Sequence, residues 1–263
     1  MNSCVTTESL LKIEAIARSA GNVIMEIYRQ DFDVQKKDDQ SPLTKADLAA
    51  HNLIECSLKE TFPDIPVLSE ESSNIPYEVR KDWQEFWLVD PLDGTKEFIK
   101  KNGEFTVNIA LIQQGKPVLG VVYAPALEVL YSGAKGIGAT KQTHEGKSDI
   151  ATNNLKGDNW ILVGSRSHRG KEMDKYLSAF DNYKFISKGS SLKLCMVAEG
   201  SADLYPRLGP TSEWDTAAAH AVVEAAGGVV TDGNGVPLRY NKENILNPWF
   251  YVYPKTLNVP TVN

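Results

Sequence analysis

The 263-residue chain has few cysteines, no long apolar run and no surplus of basic residues. Its three cysteines, Cys4, Cys56 and Cys195, stand at wide and unrelated spacings. Such an arrangement argues against a disulfide framework or a cysteine zinc site and favours a reducing compartment. No stretch approaches the ~20 apolar residues of a membrane span, and the first residues lack the pattern of a secretory signal. We therefore expect a cytoplasmic protein without a transmembrane segment.

The shortage of basic charge also limits the partners. Lys and Arg number 28 against 34 Asp and Glu, so the formal net charge is -6, and the sequence pI is near 5.4. Binding to DNA or RNA needs a basic surface, so we expect no nucleic-acid polymer as the main partner. A small anionic ligand is compatible with this charge.

Several catalytic motifs are missing. The sequence contains no GxxxxGK[ST], HExxH or GxSxG pattern, which argues against a P-loop nucleotide site, a zinc protease and a serine hydrolase elbow. A calcium loop counted from Asp90 fails because its twelfth position is Lys101. His51, His144 and His220 have no second ligand at a useful spacing, so we predict that they bind no metal.

The hydrophobic pattern divides the chain into two halves. Apolar residues at helical spacing predict a first helix over residues 8–29, and a second helix is expected from a Thr44 cap to the proline at position 63. Runs of β-forming residues between turn signals then predict an antiparallel meander over residues 105–142, and a polar stretch over residues 144–159 follows it. Strands and helices alternate after that point. We predict an α/β (α+β) protein with an N-terminal half, 1–150, of helices and antiparallel sheet, and a C-terminal α/β half, 151–263.

Two acids follow an apolar strand in the stretch FWLVDPLDGTKEF. Asp90 and Asp93 end the strand, Gly94 permits a tight turn, and Thr95 opens a short helix. Turn formation alone is one interpretation of these residues. However, two carboxylates at the end of a buried segment raise each other's pKa unless a cation compensates. The pattern therefore also fits a hard divalent cation with oxygen ligands.

The spacing of the two acids separates two kinds of phosphatase. Phosphatases with an aspartyl nucleophile have a D-x-D-G-T pattern, whereas two residues, Pro91 and Leu92, lie between the acids here. On a regular strand the extra residue points the second acid to the other face. The gap therefore disfavours an aspartyl-phosphate enzyme, although that class stays open as an alternative.

Further acids lie at predicted element ends. Glu70 and Glu71 follow a β-like run, Asp215 opens a helix, and Asp47 lies near the start of the second helix. Each also has a purely structural interpretation. Glu70 and Glu71 would be a solvated pair in a loop, and Asp215 would be the first-turn partner of a Ser212 cap. Asp47 would form a capping box with Thr44.

Taken in order, these segments resemble a known family. LTKAD, LSEES, VDPLDGTKEF and SEWDTAAAHAVVEAAGG are similar to four motifs of the inositol monophosphatase superfamily, the lithium-sensitive, magnesium-dependent phosphatases. The resemblance covers nearly the whole chain. GSRSH, GSSLKLCMVAEGSADLYPR and WDTAAAHAV further resemble the CysQ-type 3'(2'),5'-bisphosphate nucleotidases. This likeness implies the sugar-phosphatase fold, a layered α-β-α-β-α sandwich.

The resemblance also implies roles for individual residues. Two or three Mg2+ ions would be held by Glu70, Asp90, Asp93, Asp215 and the backbone carbonyl of Leu92. The catalytic residues would be Asp47, Thr95 and Glu70, with Asp47 as the base and Thr95 as its hydrogen-bonded partner. The substrate would be bound by Glu70, Leu92, Asp93, Gly94, Thr95, Ser165, Arg166, His168, Ser190, Lys193, Arg207 and Asp215. Of these, Ser165, Arg166 and His168 would face the nucleotide, and Ser190, Lys193 and Arg207 a second phosphate or the ribose.

The implied reaction is hydrolysis of adenosine 3',5'-bisphosphate (PAP) to AMP and phosphate, with PAPS as a further substrate, in sulfate assimilation. Inositol monophosphate or a sugar bisphosphate as substrate is an alternative on the same fold. A non-enzymatic nucleotide or metal sensor is another, although a pure binder would not need the Asp47 and Thr95 pair. The family's bacterial members are cytoplasmic or peripheral to the inner membrane. The residues favour no particular oligomeric state.

Overall fold

Two long helices open the fold. The computed structural model describes residues 4–30, 42–154, 159–165 and 171–260. Helix α1 (Thr7–Tyr28) is capped by Thr6, whose Oγ1 accepts a hydrogen bond of 3.0 Å from the backbone N–H of Ser9. Helix α2 (Pro42–Thr61) begins two residues before the predicted Thr44 cap, so that prediction is wrong. Proline is well suited to a first helical turn because its missing N–H would have no partner there.

Seven strands then form one sheet in chain order. They are β1 (Val67–Ser69), β2 (Glu85–Asp93), β3 (Thr106–Gln113), β4 (Lys116–Ala124), β5 (Val129–Ala134), β6 (Gly138–Thr143) and β7 (Gly146–Ile150). Strand β1 pairs with β2 in parallel, and the other neighbours are antiparallel. A 3-10 turn (Glu70–Ser72) follows β1, and the short helices α3 (Tyr77–Arg80) and α4 (Thr95–Ile99) flank β2. The predicted antiparallel meander is confirmed for β3 to β6, whereas β7 lies in the stretch predicted as polar and without a strand.

The second half alternates strands and helices. Its elements are β8 (Trp160–Gly164), α5 (Lys171–Leu177), β9 (Tyr183–Ser187), α6 (Leu192–Ala198), β10 (Tyr205–Arg207), α7 (Trp214–Ala225), β11 (Gly228–Asp232) and β12 (Phe250–Pro254). Strands β8 and β9 are parallel, whereas β12 pairs antiparallel with both β10 and β11. A bridge between Leu162 and Leu204 joins the two groups, giving the order β9-β8-β10-β12-β11.

Three apolar clusters hold five layers together. One lies between α1, α2 and the outer face of the seven-stranded sheet. The central cluster joins the other face of that sheet to α6, α7 and the second sheet, and includes Leu88, Val122, Cys195, Val222 and Val252. The third places α5 on the far side of the second sheet. The order is therefore α-β-α-β-α, as predicted, while the proposed boundary near residue 150 stays a prediction. Within the described ranges, no helix has both the length and the apolar character to cross a bilayer.

Candidate functional site

Strands β1 and β2 bring two acids together at their carboxyl ends. The two strands are parallel, and Ser69 lies opposite Val89. The residues that follow them, Glu70 and Asp90, therefore lie at the same end of the sheet. The charge of Glu70 is one of the causes that raise the pKa of Asp90, after burial and the charge of Asp93, which reflects this closeness. A glutamate and an aspartate that are 20 residues apart in the sequence thus belong to one site.

A bulge in β2 adds Asp93. Regular pairing with β3 stops at Asp90 and resumes at Asp93, so that two residues of β2 oppose one of β3. A bulge of this kind re-aims the side chain that follows it. The backbone N–H of Leu92 donates to Asp90 Oδ1 at 3.1 Å within the bulge. The expectation that the second acid turns to the other face of the strand is therefore wrong, because β2 is not regular here.

Helix α7 contributes the third member of the cluster. Asp215 lies in its first turn, and one carboxylate oxygen from each of Asp90, Asp93 and Asp215 lies within 4.8 Å of the others. Asp215 Oδ2 also accepts a hydrogen bond of 2.9 Å from the backbone N–H of Ser212. Asp215 therefore partners the backbone of Ser212 in the first turn and also belongs to the acid cluster. The expected Ser212 cap is wrong, because Glu213 is the residue that precedes α7 as its N-cap.

Burial and mutual repulsion disfavour the ionised forms of Glu70, Asp90 and Asp215. Burial, then the charge of Asp93, raises the pKa of Asp90 well above its usual value and raises that of Glu70 to about 7. The same two causes, in the same order, raise the pKa of Asp215 to about 7. A cluster of this kind needs positive charge to ionise at neutral pH. Its donors are all oxygen atoms, which is the ligand type that Mg2+ and Ca2+ prefer.

Asp47 approaches the same acids from α2. Its Oδ1 is buried without a hydrogen-bond partner, and burial, followed by the charges of Glu71 and Glu70, raises the pKa of Asp47 to about 8. The capping-box interpretation is wrong because α2 begins two residues before Thr44. Thr95 is exposed at the start of α4. Among the described residues no hydrogen bond joins Asp47 to Thr95, so that pair stays a prediction.

The loop between β9 and α6 fixes Asp93 from the other half of the chain. Ser190 Oγ and the backbone N–H of Ser191 both donate to Asp93 Oδ2, the latter at 2.8 Å. Ser190 has φ 53°, in the left-handed region. Ser191 Oγ continues the network to Asn108 at 2.8 Å and to Thr106 at 2.8 Å. Ser190, which the sequence assigned to the substrate, is here a support for an acid of the cluster.

Sequence reasoning missed Ser191, Thr106 and Asn108. A signal for two of them existed, because Thr106 and Asn108 are two residues apart in the apolar stretch FTVNIALI and so share one face of β3. Both are buried, at 0% and 1% exposure. Buried polar side chains need partners, and polar residues on one face of a buried strand therefore indicate a polar site beside it.

Gly94 connects the bulge to α4 in a conformation that other residues rarely adopt. Its φ is 100° and its ψ is 48°, and a Cβ added there would lie 3.2 Å from Phe105 Cα and 3.3 Å from Phe105 Cβ. Whatever the substrate, the backbone of Phe105 and the positive φ already require glycine at this position.

We expect Gly94→Ala to lower the free energy of unfolding by roughly 1–2 kcal/mol more than Gly136→Ala. Gly136 is a matched control because its φ is 79° and no atom lies within 4 Å of an added Cβ. Both variants carry left-handed strain, but only the first brings a methyl group against Phe105. Denaturant unfolding of both variants measures the difference. Equal losses of unfolding free energy in the two variants would show that the contact with Phe105 does not affect stability.

A cleft next to the acid cluster is lined from both halves of the chain. It contains seven of the residues expected to bind substrate: Asp93, Gly94, Ser165, Ser190, Lys193, Arg207 and Asp215. It also contains Lys96, Glu97 and Thr211, which the sequence did not suggest because nothing in their local patterns distinguishes them from surface residues. Arg166 and His168 lie outside the described residues.

Two cations give the cleft a positive wall. Lys193 is 6% exposed, and burial lowers its pKa to about 8 although the charge of Asp93 opposes this. Its Nζ donates to the carbonyl of Ser190. Arg207 Nη2 donates to the carbonyl of Pro210 at 2.8 Å, whereas its buried Nε has no partner. The cleft thus joins an acid cluster that can hold cations to basic groups that can bind an anion.

Comparison with known proteins places this arrangement in a family. Residues 6–256 match the model of the inositol monophosphatase family. The chain is 53% identical over 240 residues, 90% of its own length and 96% of the relative's, to the 3'(2'),5'-bisphosphate nucleotidase CysQ of Escherichia coli K12. It is 37% identical over 244 residues to the protein of that name from Haemophilus influenzae, with 92% and 91% of the two chains covered.

Solved structures agree with this result. The crystal structure of CysQ from Bacteroides thetaiotaomicron superposes with a TM-score of 0.89 at 44% identity, over 96% of this chain and 99% of that one. An inositol monophosphatase from Zymomonas mobilis shares the fold, with a TM-score of 0.79 at 24% identity over 95% and 94% of the chains. Because the family model matches residues 6–256 and the relatives match nearly the whole length, the chain belongs to the inositol monophosphatase family.

Proposed function

We propose that this protein is a 3'(2'),5'-bisphosphate nucleotidase that hydrolyses the 3'-phosphate of PAP to give AMP and phosphate, with PAPS as a further substrate. The observation that carries the proposal is the junction of an acid cluster and a basic wall in one cleft. The name of the E. coli relative at 53% identity supports the same reaction. A role in sulfate assimilation, inhibition by lithium and a cytoplasmic or inner-membrane-associated location belong to this proposal.

Glu70, Asp90, Asp93, Asp215 and the backbone carbonyl of Leu92 are the proposed ligands of Mg2+, with two or three ions bound. Their oxygens suit this ion, and the raised pKa values of Glu70, Asp90 and Asp215 fit a cluster built to receive positive charge. Bound magnesium would offset the charge of the phosphate and acidify a water molecule. The hydrogen bonds from Ser190 and Ser191 hold Asp93 in place for this role.

Asp47 is the proposed base. A base must be ionised and must have a free oxygen within reach of the proton that it removes. Asp47 Oδ1 has no other hydrogen-bond partner, and positive charge beside Glu70 and Glu71 would lower its pKa from the value of about 8 that their carboxylates favour. Thr95, on the adjacent helix α4, is proposed to hold the water in line, and Gly94 and Thr95 to donate backbone N–H groups to the phosphate.

Lys193 and Arg207 are the proposed partners of the second phosphate, and Ser165 of the nucleoside. A substrate with one phosphate leaves these cations without a ligand, whereas a bisphosphate satisfies both the acid cluster and the basic wall. The planar guanidinium of Arg207 can bind a phosphate through two parallel hydrogen bonds. This pairing favours a nucleoside bisphosphate over inositol monophosphate as substrate.

Replacing Arg207 with Gln should raise the KM for PAP roughly 10- to 100-fold, the loss expected for a charge-assisted hydrogen bond. Turnover of inositol monophosphate, which lacks a second phosphate, should change little and serves as the control. Steady-state phosphate release from both substrates gives the comparison. A similar loss of activity on both substrates would mean that Arg207 supports the cleft as a whole and does not bind the second phosphate.

The proposed function is tested by phosphate release from PAP, inositol monophosphate and a sugar bisphosphate, each with Mg2+ and with excess chelator. We expect PAP to react fastest and all activity to depend on the metal. Faster turnover of inositol phosphate would favour the monophosphatase alternative, and full activity in chelator would overturn the metal mechanism. Tight binding of PAP without turnover of any substrate would indicate a sensor.

An aspartyl-phosphate mechanism is less compatible with the position of Asp90. This residue is 1% exposed, and its Oδ1 accepts a hydrogen bond from Leu92 in the bulge. A nucleophile needs access to the phosphorus atom, which a buried and bonded carboxylate lacks. Trapping of a covalent phosphoenzyme on Asp90 would nevertheless contradict the proposal of water as the nucleophile.

A further inference from the structure

A second cavity lies at the opposite end of α7 from the acid cluster. Helix α7 carries Asp215 in its first turn and Glu224 in its last, about 13 Å apart along the axis at 1.5 Å per residue. The cavity has a volume of about 680 Å³, within the range of small-molecule sites. It shares no lining residue with the cleft described above.

The walls of this cavity are mostly apolar. Strands β4 and β5, helix α7 and the segment after β11 contribute Pro117, Val118, Ala134, Ala221, Ala225 and Leu238. Val236 closes one side and is 55% exposed. Side chains of this kind would cover the apolar body of a ligand but would give it no orientation.

Charged groups at the rim supply that orientation. Lys116, Lys135 and Arg239 line the cavity, and Glu224 is the one acid among the described residues that do so. His220 is buried and bonded on both ring nitrogens, through Nδ1 to Tyr240 at 2.8 Å and through Nε2 to Glu224 at 3.3 Å. Three cations face one carboxylate, so the rim has a surplus of positive charge.

Glu224 is already committed to these neighbours. Burial opposes its ionisation, yet the hydrogen bond with His220 and the charges of His220, Lys116 and Lys135 leave its pKa below the usual value. The carboxylate therefore stays ionised at neutral pH and offsets one of the three positive charges. An anion that enters the cavity would meet the remaining positive charge beside an apolar wall.

We propose that this cavity is a second ligand site, specific for a small organic anion that combines an apolar body with one carboxylate, sulfonate or phosphate group. The apolar body would pack against Ala221, Ala225 and Leu238, and the anionic group would contact Lys116 and Lys135. The site is separate from the reaction proposed above and does not depend on it.

The probe is 8-anilinonaphthalene-1-sulfonate, an aromatic sulfonate whose fluorescence increases in apolar surroundings. It is titrated into the whole protein in chelator, where we expect saturable binding. The double variant Lys116→Gln/Lys135→Gln should bind the probe roughly tenfold more weakly. The matched control is Lys12→Gln/Lys59→Gln, which removes the same charge from two exposed side chains of α1 and α2.

A second variant and a competition keep the test independent of folding. Val236→Glu adds negative charge at the rim from an exposed turn and should weaken binding to a similar extent. In a parallel titration with Mg2+ in place of chelator, saturating PAP should leave the probe bound, because PAP and the AMP and phosphate formed from it are proposed to occupy the other cleft. Unchanged affinity in the lysine and Val236 variants, or displacement of the probe by PAP, would overturn the proposal.

Discussion

Replacing Asp93 with Asn should lower phosphate release by about 10³-fold, the order expected when a charged group that stabilises a transition state is removed. The amide has nearly the shape of the carboxylate, and its oxygen can still accept hydrogen bonds from Ser190 and Ser191. The negative charge and one of the two acceptor oxygens are lost. Because Asp93 belongs to one cluster with Asp90 and Asp215, that loss weakens the binding of any cation there.

The matched control for this variant is Asp149→Asn. Asp149 lies on β7 with its side chain exposed, so the same chemical change at this position should leave activity within about twofold. Initial rates are measured over a range of Mg2+ concentrations. Wild-type rates for Asp93→Asn at low Mg2+ would exclude Asp93 from the metal site and from the reaction.

Added Mg2+ should raise the melting temperature by several degrees at pH 8.5 and by much less at pH 5. Without metal, the folded-state pKa values of Glu70 and Asp215 are about 7 and that of Asp47 is about 8, whereas unfolded carboxyl groups titrate near pH ~4. Because these pKa values are raised in the folded state, the contribution of the three carboxyl groups to the stability of the metal-free fold is largest below pH ~4. Stability is then lost as the pH rises to about 8.

A bound cation reverses this loss by pairing with the ionised carboxylates, so its effect grows over the same pH range. In a chain of this size each kcal/mol corresponds to about 2–4 °C in melting temperature. The control is Na+ at equal ionic strength, which should not reproduce the shift. Asp93→Asn should reduce the Mg2+ effect at pH 8.5. Equal shifts at both pH values would mean that the metal binds elsewhere.

Much of the fold followed from local patterns. Helical spacing of apolar residues located α1, and β-forming runs between glycine and proline signals located the strands from β3 to β6. Such elements depend mainly on neighbours in the sequence, so a single sequence is informative about them. The start of α2 was misplaced because Pro42 and Thr44 both suit a helix start. The acids of the site were also visible, since Glu70, Asp90 and Asp215 each lie at the end of an element.

The sequence by itself therefore determined the order of elements and the identity of the acids. Only the tertiary structure decided how those acids meet, because the bulge in β2 turns Asp93 back towards Asp90 and a loop 98 residues further along the chain holds Asp93 in place. It also showed that Ser190 donates a hydrogen bond to Asp93 and revealed the cavity beside His220 and Glu224. These features depend on strand register and on packing between distant segments, and no local pattern of residues encodes either one.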